Sequence, residues 1–143
     1  MDVLFHASAI SVLPFWALMI FFPRAAITAR VIASPWIVAP PLVCYLAVTL
    51  PHLPELVAAL RAPSPEAMAT VMGTPWASTM YWTYAGGFDL FVGRWMFLDA
   101  RERGVPHALV APALFTSIFF GPIGLALYAA GRALYGARRG AGK

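Results

Sequence analysis

Charged residues are sparse and grouped in this chain, and the apolar runs between them have membrane length. Val3 to Phe22 carries no formal charge, only the titratable His6, and is long enough as a helix to cross a hydrocarbon core of about 30 Å. Val31 to Leu50 is a second apolar run, interrupted by Pro35 and by the pair Pro40-Pro41. Proline removes a backbone donor and crowds the preceding turn, so a bend is expected at the double proline. In a membrane the freed carbonyls must then be met by neighbouring groups or a wet cavity. The third run, Trp76 to Leu98, opens with Trp76, Tyr81, Trp82 and Tyr84, amphipathic rings that favour the interface. The fourth starts at Pro106, offers breaks at Pro112 and Gly121-Pro122, and ends near Gly131. The pattern predicts an all-α integral membrane protein: a single domain, 1–143, of four transmembrane helices in a compact bundle. The spans are about 3–22, 31–50, 76–98 and 106–131, helices two and four are kinked by proline, and a basic tail covers 132–143.

Between the second and third spans the chain is expected to leave the bilayer. Leu53, Leu56, Val57 and Leu60 repeat at i, i+3, i+4, i+7, the spacing of a short helix lying on the membrane surface. Ser64 before Pro65 and Glu66 reads as an N-cap followed by proline at the first helical position, so another short turn is expected over Met68 to Met72.

Composition supports the membrane reading, with 61% hydrophobic and only 11% charged residues. The net charge of +4 comes from bases at segment ends, where they meet lipid headgroups, and gives little support for nucleic-acid binding. Cys44 is the single cysteine, which excludes an intrachain disulfide. The N-terminus lacks a basic n-region and its apolar run exceeds a signal-peptide core, so it reads as a retained helix. With four spans, one face holds Arg24, Arg30, Arg101 and Arg103 and the other holds Arg61, Arg132, Arg138, Arg139 and Lys143; charge then assigns no orientation.

The candidate chemistry lies between Ala85 and His107. Asp89 is an acid inside a membrane-length run, where ionisable groups are costly and mark function by default. Trp82, Gly86, Asp89, Gly93 and Met96 follow at spacings of 4, 3, 4 and 3, one helical stripe whose glycines leave a groove for a helix backbone or a flat ligand. Counting residues inward from a shared interface brings Trp16, Pro40, Thr116 and Ser117 to the level of Asp89, and a cavity is expected in that layer. The plainer alternative is that Asp89 only hydrogen-bonds Thr116 or Ser117 to fix helix packing. Arg94 lies about 140° round the helix from Asp89 and needs a partner on another helix, or snorkels to the interface. Asp99 and Arg103 form an i, i+4 pair, and His107 follows at the same interface, so a carboxylate and an imidazole are available as acid and base. Asp99, Glu102 and His107 match no metal-site spacing, and no metal is expected. His6 and His52 are isolated and read as packing or interfacial groups.

The run Phe88-Asp89-Leu90-Phe91-Val92-Gly93-Arg94-Trp95, then Leu98-Asp99, His107 and Phe119-Phe120-Gly121-Pro122-Ile123-Gly124-Leu125, resembles the small membrane proteins related to plant neoxanthin synthase. Leu13-Pro14-Phe15-Trp16 and Phe22-Pro23-Arg24 extend the likeness over nearly the whole chain. The resemblance implies four membrane helices and a role in carotenoid formation; without a transit peptide, a bacterial relative in an inner membrane is expected. It also implies an isomerisation of a carotenoid end group that needs an acid, a base and no cofactor. Asp89, Arg94, Asp99 and His107 are the catalytic candidates, and Trp16, Trp82, Gly86, Gly93, Met96 and Thr116 the ligand-binding ones. A carotenoid or related polyene and membrane lipids are the expected partners, alongside a homo-oligomer or membrane-complex contact. Two other readings stay open: a carotenoid- or retinoid-binding subunit of a pigment complex without catalysis, and a scaffold for other membrane enzymes that docks through Gly86 and Gly93.

Overall fold

A computed structural model describes residues 1–141, and every regular element among them is helical. The chain divides into two compact units, Met1–Val12 with Val38–Gly87, and Leu13–Ile37 with the residues from Phe88 on. Helix α1, Asp2–Phe21, matches the first expected span to within a residue and keeps Pro14 inside it. Two helical stretches, Asp2–Phe21 and Pro35–Arg61, are long and apolar enough to cross a membrane.

The second span differs from expectation in where it breaks. Helix α2, Ala26–Ala33, ends at Ser34, whose φ of −72° and ψ of 128° are extended. The ring of Pro35 disfavours helical geometry in the residue before it, which accounts for the break there. After a 3-10 turn, Pro35–Val38, helix α3 spans Ala39–Thr49. Pro40 and Pro41 therefore occupy its first turn, where no intrahelical donor is lost, and they start a helix instead of bending one. Nor does the path end at Leu50. A 3-10 turn, Leu50–His52, leads into α4, Leu53–Arg61, so the apolar stretch continues through the residues expected to form a separate surface helix.

Helix α5, Pro65–Met72, is capped as the sequence predicts, with Ser64 Oγ accepting from the amide of Ala67 at 3.1 Å. In the first unit, Pro41 meets the position a Cβ on Gly87 would take at 3.5 Å, Trp82 stacks on Phe5 at 4.9 Å, and Trp76 stacks on His52 at 4.6 Å.

Helix α6, Pro75–Arg103, runs five residues past the expected Leu98. Gly104 stops it with φ 65°, the left-handed geometry that glycine adopts freely. The amides of Val105 and Gly104 bond back to the carbonyls of Ala100 and Arg101, which completes a Schellman cap. Helix α7, His107–Ser117, starts one residue after Pro106 and retains Pro112 within it. The chain then breaks over residues 118–120, beside the expected Gly121-Pro122, and α8 covers Gly121–Ala141.

This break is a reversal and not a kink. A Cβ on Gly124 would overlap Ser117 Oγ and lie 2.6 Å from the carbonyl oxygen of Ala113, while one on Gly131 would meet Leu109 at 4.0 Å. Positions later in α8 thus face positions earlier in α7, and the two helices form an antiparallel hairpin. The expected single span 106–131 is replaced by this hairpin, and what was expected as a tail from Arg132 continues α8 through the described residues.

Candidate functional site

Helix α6 carries an acid and a base five residues apart, and each serves the end of a different helix. Arg94 Nε donates to the carbonyl of Ile32 at 2.8 Å and its terminal nitrogen donates to that of Ala33 at 2.6 Å. These carbonyls lie at the end of α2, which Pro35 deprives of continuing donors, so a cation and hydrogen-bond fork meets the negative end of the helix. Asp89 lies against Gly121, the first residue of α8; a Cβ there would overlap its carboxylate. A carboxylate at a helix N-terminus is the complementary arrangement. The alternative in which Asp89 bonds Thr116 or Ser117 is not what forms, because both hydroxyls bond locally: Thr116 donates to the carbonyl of Pro112 at 2.9 Å and Ser117 to that of Ala113 at 3.0 Å.

The glycine stripe also has occupants. A Cβ on Gly93 would come within 2.5 Å of the Trp16 ring, and Trp16 is only 3% exposed, so the indole fills the groove at that point. Met96 is fully buried in the same unit. Gly86 has nothing within 4 Å of a built Cβ, and its stripe neighbour Trp82 remains half exposed.

At the end of α6, Asp99 is the centre of a network larger than the expected i, i+4 pair. Its carboxylate accepts from Arg103 at 2.8 Å, from the Tyr128 hydroxyl at 2.5 Å and from Arg132 at 3.0 Å. Burial raises this carboxyl, but the three hydrogen bonds and the charge of Arg103 outweigh it and hold the group at about 2. Asp99 lies one residue beyond the apolar run 76–98, and its side chain is 11% exposed. Trp95 meets Tyr128 edge to face at 5.8 Å and lies 5.9 Å from the Arg132 guanidinium carbon. Tyr128 and Arg132 were missed from the sequence, although an i, i+4 hydroxyl and cation on one apolar helix is the signal that could have found them.

An open cavity of about 930 Å³ lies within the second unit where α1, α6 and α7 end or begin. Its wall includes Phe22, Arg24, Phe97, Arg101, His107 and Val110. Two of its polar groups are anchored to carbonyls at the end of α1. His107 Nε2 lies 2.9 Å from the carbonyl of Ile20, and Arg101 donates to that of Pro23 at 2.9 Å. Since a carbonyl only accepts, Nε2 is the donor, and a neutral His107 then keeps its lone pair on Nδ1. The cavity is at this end of α6 and not in the layer of Asp89, where one was expected.

Arg94, Asp99 and His107, proposed from sequence as neighbours in acid and base work, face three different partners: the α2 end, the α8 face and the α1 end. Of these only His107 lines the cavity, together with Arg24 and Arg101, which the sequence reading did not select. Their signal was present in Phe22-Pro23-Arg24 and in the polar exit of α6, but which bases turn inward depends on the cap at Gly104.

No curated protein and no solved structure matches this chain. A family model described as ABA DEFICIENT 4-like matches residues 3–128, which include the α6 motif, His107, the hairpin turn and Tyr128. The chain belongs to the ABA DEFICIENT 4-like family, the group its sequence resembles, and that membership points to carotenoid and neoxanthin formation.

Proposed function

We propose that this chain is a membrane-embedded, cofactor-free isomerase of a carotenoid end group, and that the cavity beside His107 receives the ring. Support for the membrane setting comes from the two apolar stretches of spanning length and from large apolar side chains such as Ile10, Trp36, Phe119 and Leu134, which stay more than half exposed. Apolar surface on that scale needs a cover, and lipid is the cover that family and composition favour. Carotenoids are about as long as the bilayer core, so a ring meets the protein near an interface.

The single observation that carries the reading is the placement of His107. It places an imidazole in the wall of a cavity whose volume falls in the roughly 300–1,000 Å³ range of small-molecule sites. Its ring is held by Ile20, which leaves Nδ1 to work. For a 5,6-epoxide, His107 takes a proton from the polyene carbon beside the ring. That electron pair forms the new cumulated double bond as the epoxide C–O bond breaks, and the oxygen takes a proton back from the imidazolium. No atom is gained or lost. Arg24 and Arg101 supply positive charge for the developing alkoxide. Asp89 and Arg94 act in this account through the helix ends they meet, and Asp99 through the face of α8 it holds by Tyr128 and Arg132, all three as positioning residues.

The test is expression in a host that makes epoxy-carotenoids, followed by chromatography of its pigments. An added pigment of unchanged mass is expected with the wild type and absent with His107→Gln. Pigment that only copurifies with the protein, unaltered, would favour a binding subunit instead.

A further inference from the structure

The α7–α8 hairpin joins helix ends that a single span over 106–131 would separate. Helix α7 has 11 residues and rises about 16 Å, half the roughly 30 Å of a hydrocarbon core. It starts at His107, bonded to the end of α1, and stops at Ser117. Eleven residues into α8, Arg132 is back beside Asp99, four residues before the end of α6. The ends of α1 and α6, the start of α7 and the Tyr128–Arg132 stretch of α8 are therefore joined at one end of the second unit by direct hydrogen bonds. A chain that crosses along 106–131 would have carried Arg132 a full membrane thickness away from Asp99.

We infer that α7 and α8 enter and leave the bilayer by the same face, so that the chain crosses three times and presents this basic face to anionic headgroups on the side from which it is inserted. The charge distribution argues for that occupant. Arg24 and Arg101 in the cavity wall and Arg103 and Arg132 on Asp99 lie at this end, and with three crossings the sequence assigns Arg30 to the loop on the same side. Counted along the sequence, three crossings leave Arg61 as the base assigned to the other side of the bilayer, together with the acids Asp2, Glu55 and Glu66. Four crossings divided the bases almost evenly, whereas three crossings with a hairpin give a strong bias of the kind that sets orientation and draws anionic lipid. A half-depth turn over residues 118–120 is tolerated because its amides bond back to the carbonyls of Phe115 and Thr116, and Gly121 lies against Asp89, so the backbone is satisfied while the rings of Phe119 and Phe120 face outward.

The inference rests on the membrane reading above and not on the chemistry. Its test uses the full chain in a bacterial expression host, with one small epitope tag before Met1 in one version and after Lys143 in another. Protease is added to intact spheroplasts and to inverted vesicles. The C-terminal tag is expected to be cut in inverted vesicles and the N-terminal tag in spheroplasts. Both tags cut from the same side would overturn the hairpin topology, and a mixture of orientations would overturn the charge argument. Release of the protein by alkaline carbonate would overturn the membrane reading itself, which keeps the failures apart.

Discussion

Replacing Arg94 by Met removes the two hydrogen bonds that hold the end of α2, and its cost separates positioning from catalysis. Each bond from a charged donor is worth about 1.5–3 kcal/mol in water-soluble proteins, and removing the donor leaves two carbonyls without partners. Polar contacts inside membranes measure lower, about 0.6 kcal/mol on average, because the unfolded reference also finds partners. Between these limits, Arg94→Met should destabilise the folded state by about 2–4 kcal/mol, and Arg94→Lys, with a compact ammonium in place of the planar fork, by roughly half as much. Denaturation of the purified protein in mixed micelles, followed by tryptophan fluorescence, measures both. The loss should also shrink in a Pro35→Ala background, where a backbone donor returns to the broken turn. If Arg94→Met unfolds at the wild-type midpoint while its activity vanishes, Arg94 is a catalytic group and the helix-end account is wrong.

Three further outcomes follow from the packing and charge. Gly93→Val should cost about 1–3 kcal/mol by driving a methyl into the Trp16 indole, whereas Gly86→Leu should leave the denaturation midpoint within about 0.5 kcal/mol of wild type; equal effects would deny that Trp16 fills the groove. Gly121→Ala should destabilise through overlap with the Asp89 carboxylate, and Asp89→Ala should restore the loss in the double variant, as read from the same midpoints. The folded Asp99 carboxyl is held at about 2, below its ordinary value near 3.9, so it stabilises the fold fully above the ordinary value and less as pH falls through about 2. The stability gap between wild type and Asp99→Asn should therefore be constant near neutrality and close between about pH 4 and pH 2; a gap independent of pH would mean the carboxylate is not the stabilising form.

Much of the helical layout is legible in the pattern of apolar runs. The limits of α1, the Ser64 cap and the break beside Gly121 follow from local sequence, because caps and proline geometry act over a few residues. What escapes is set by contacts far apart in the chain. Pro40 and Pro41 look like a kink until Pro35 has already broken the helix, after which they simply open the next one. The hairpin escapes because one kinked span and two returning helices share the same hydropathy; only Ser117 facing Gly124 and Asp99 meeting Arg132 tell them apart. Asp89 and Arg94 stand out in the sequence as polar residues within an apolar run, but their neighbours Gly121 and the α2 carbonyls, like the Trp16 ring against Gly93, cannot be read from spacing on one helix. His107 is legible as a base, and its cavity depends on where α1 ends.

The most direct measurement is turnover by the purified, detergent-solubilised protein given an epoxy-carotenoid, with wild type, His107→Gln and Arg94→Lys compared after each is shown to be folded. The account predicts a product of the substrate's own mass with a shifted absorption spectrum from the wild type, product at a reduced yield of folded enzyme from Arg94→Lys, and none from His107→Gln. Product formation by folded His107→Gln at the wild-type rate would contradict it.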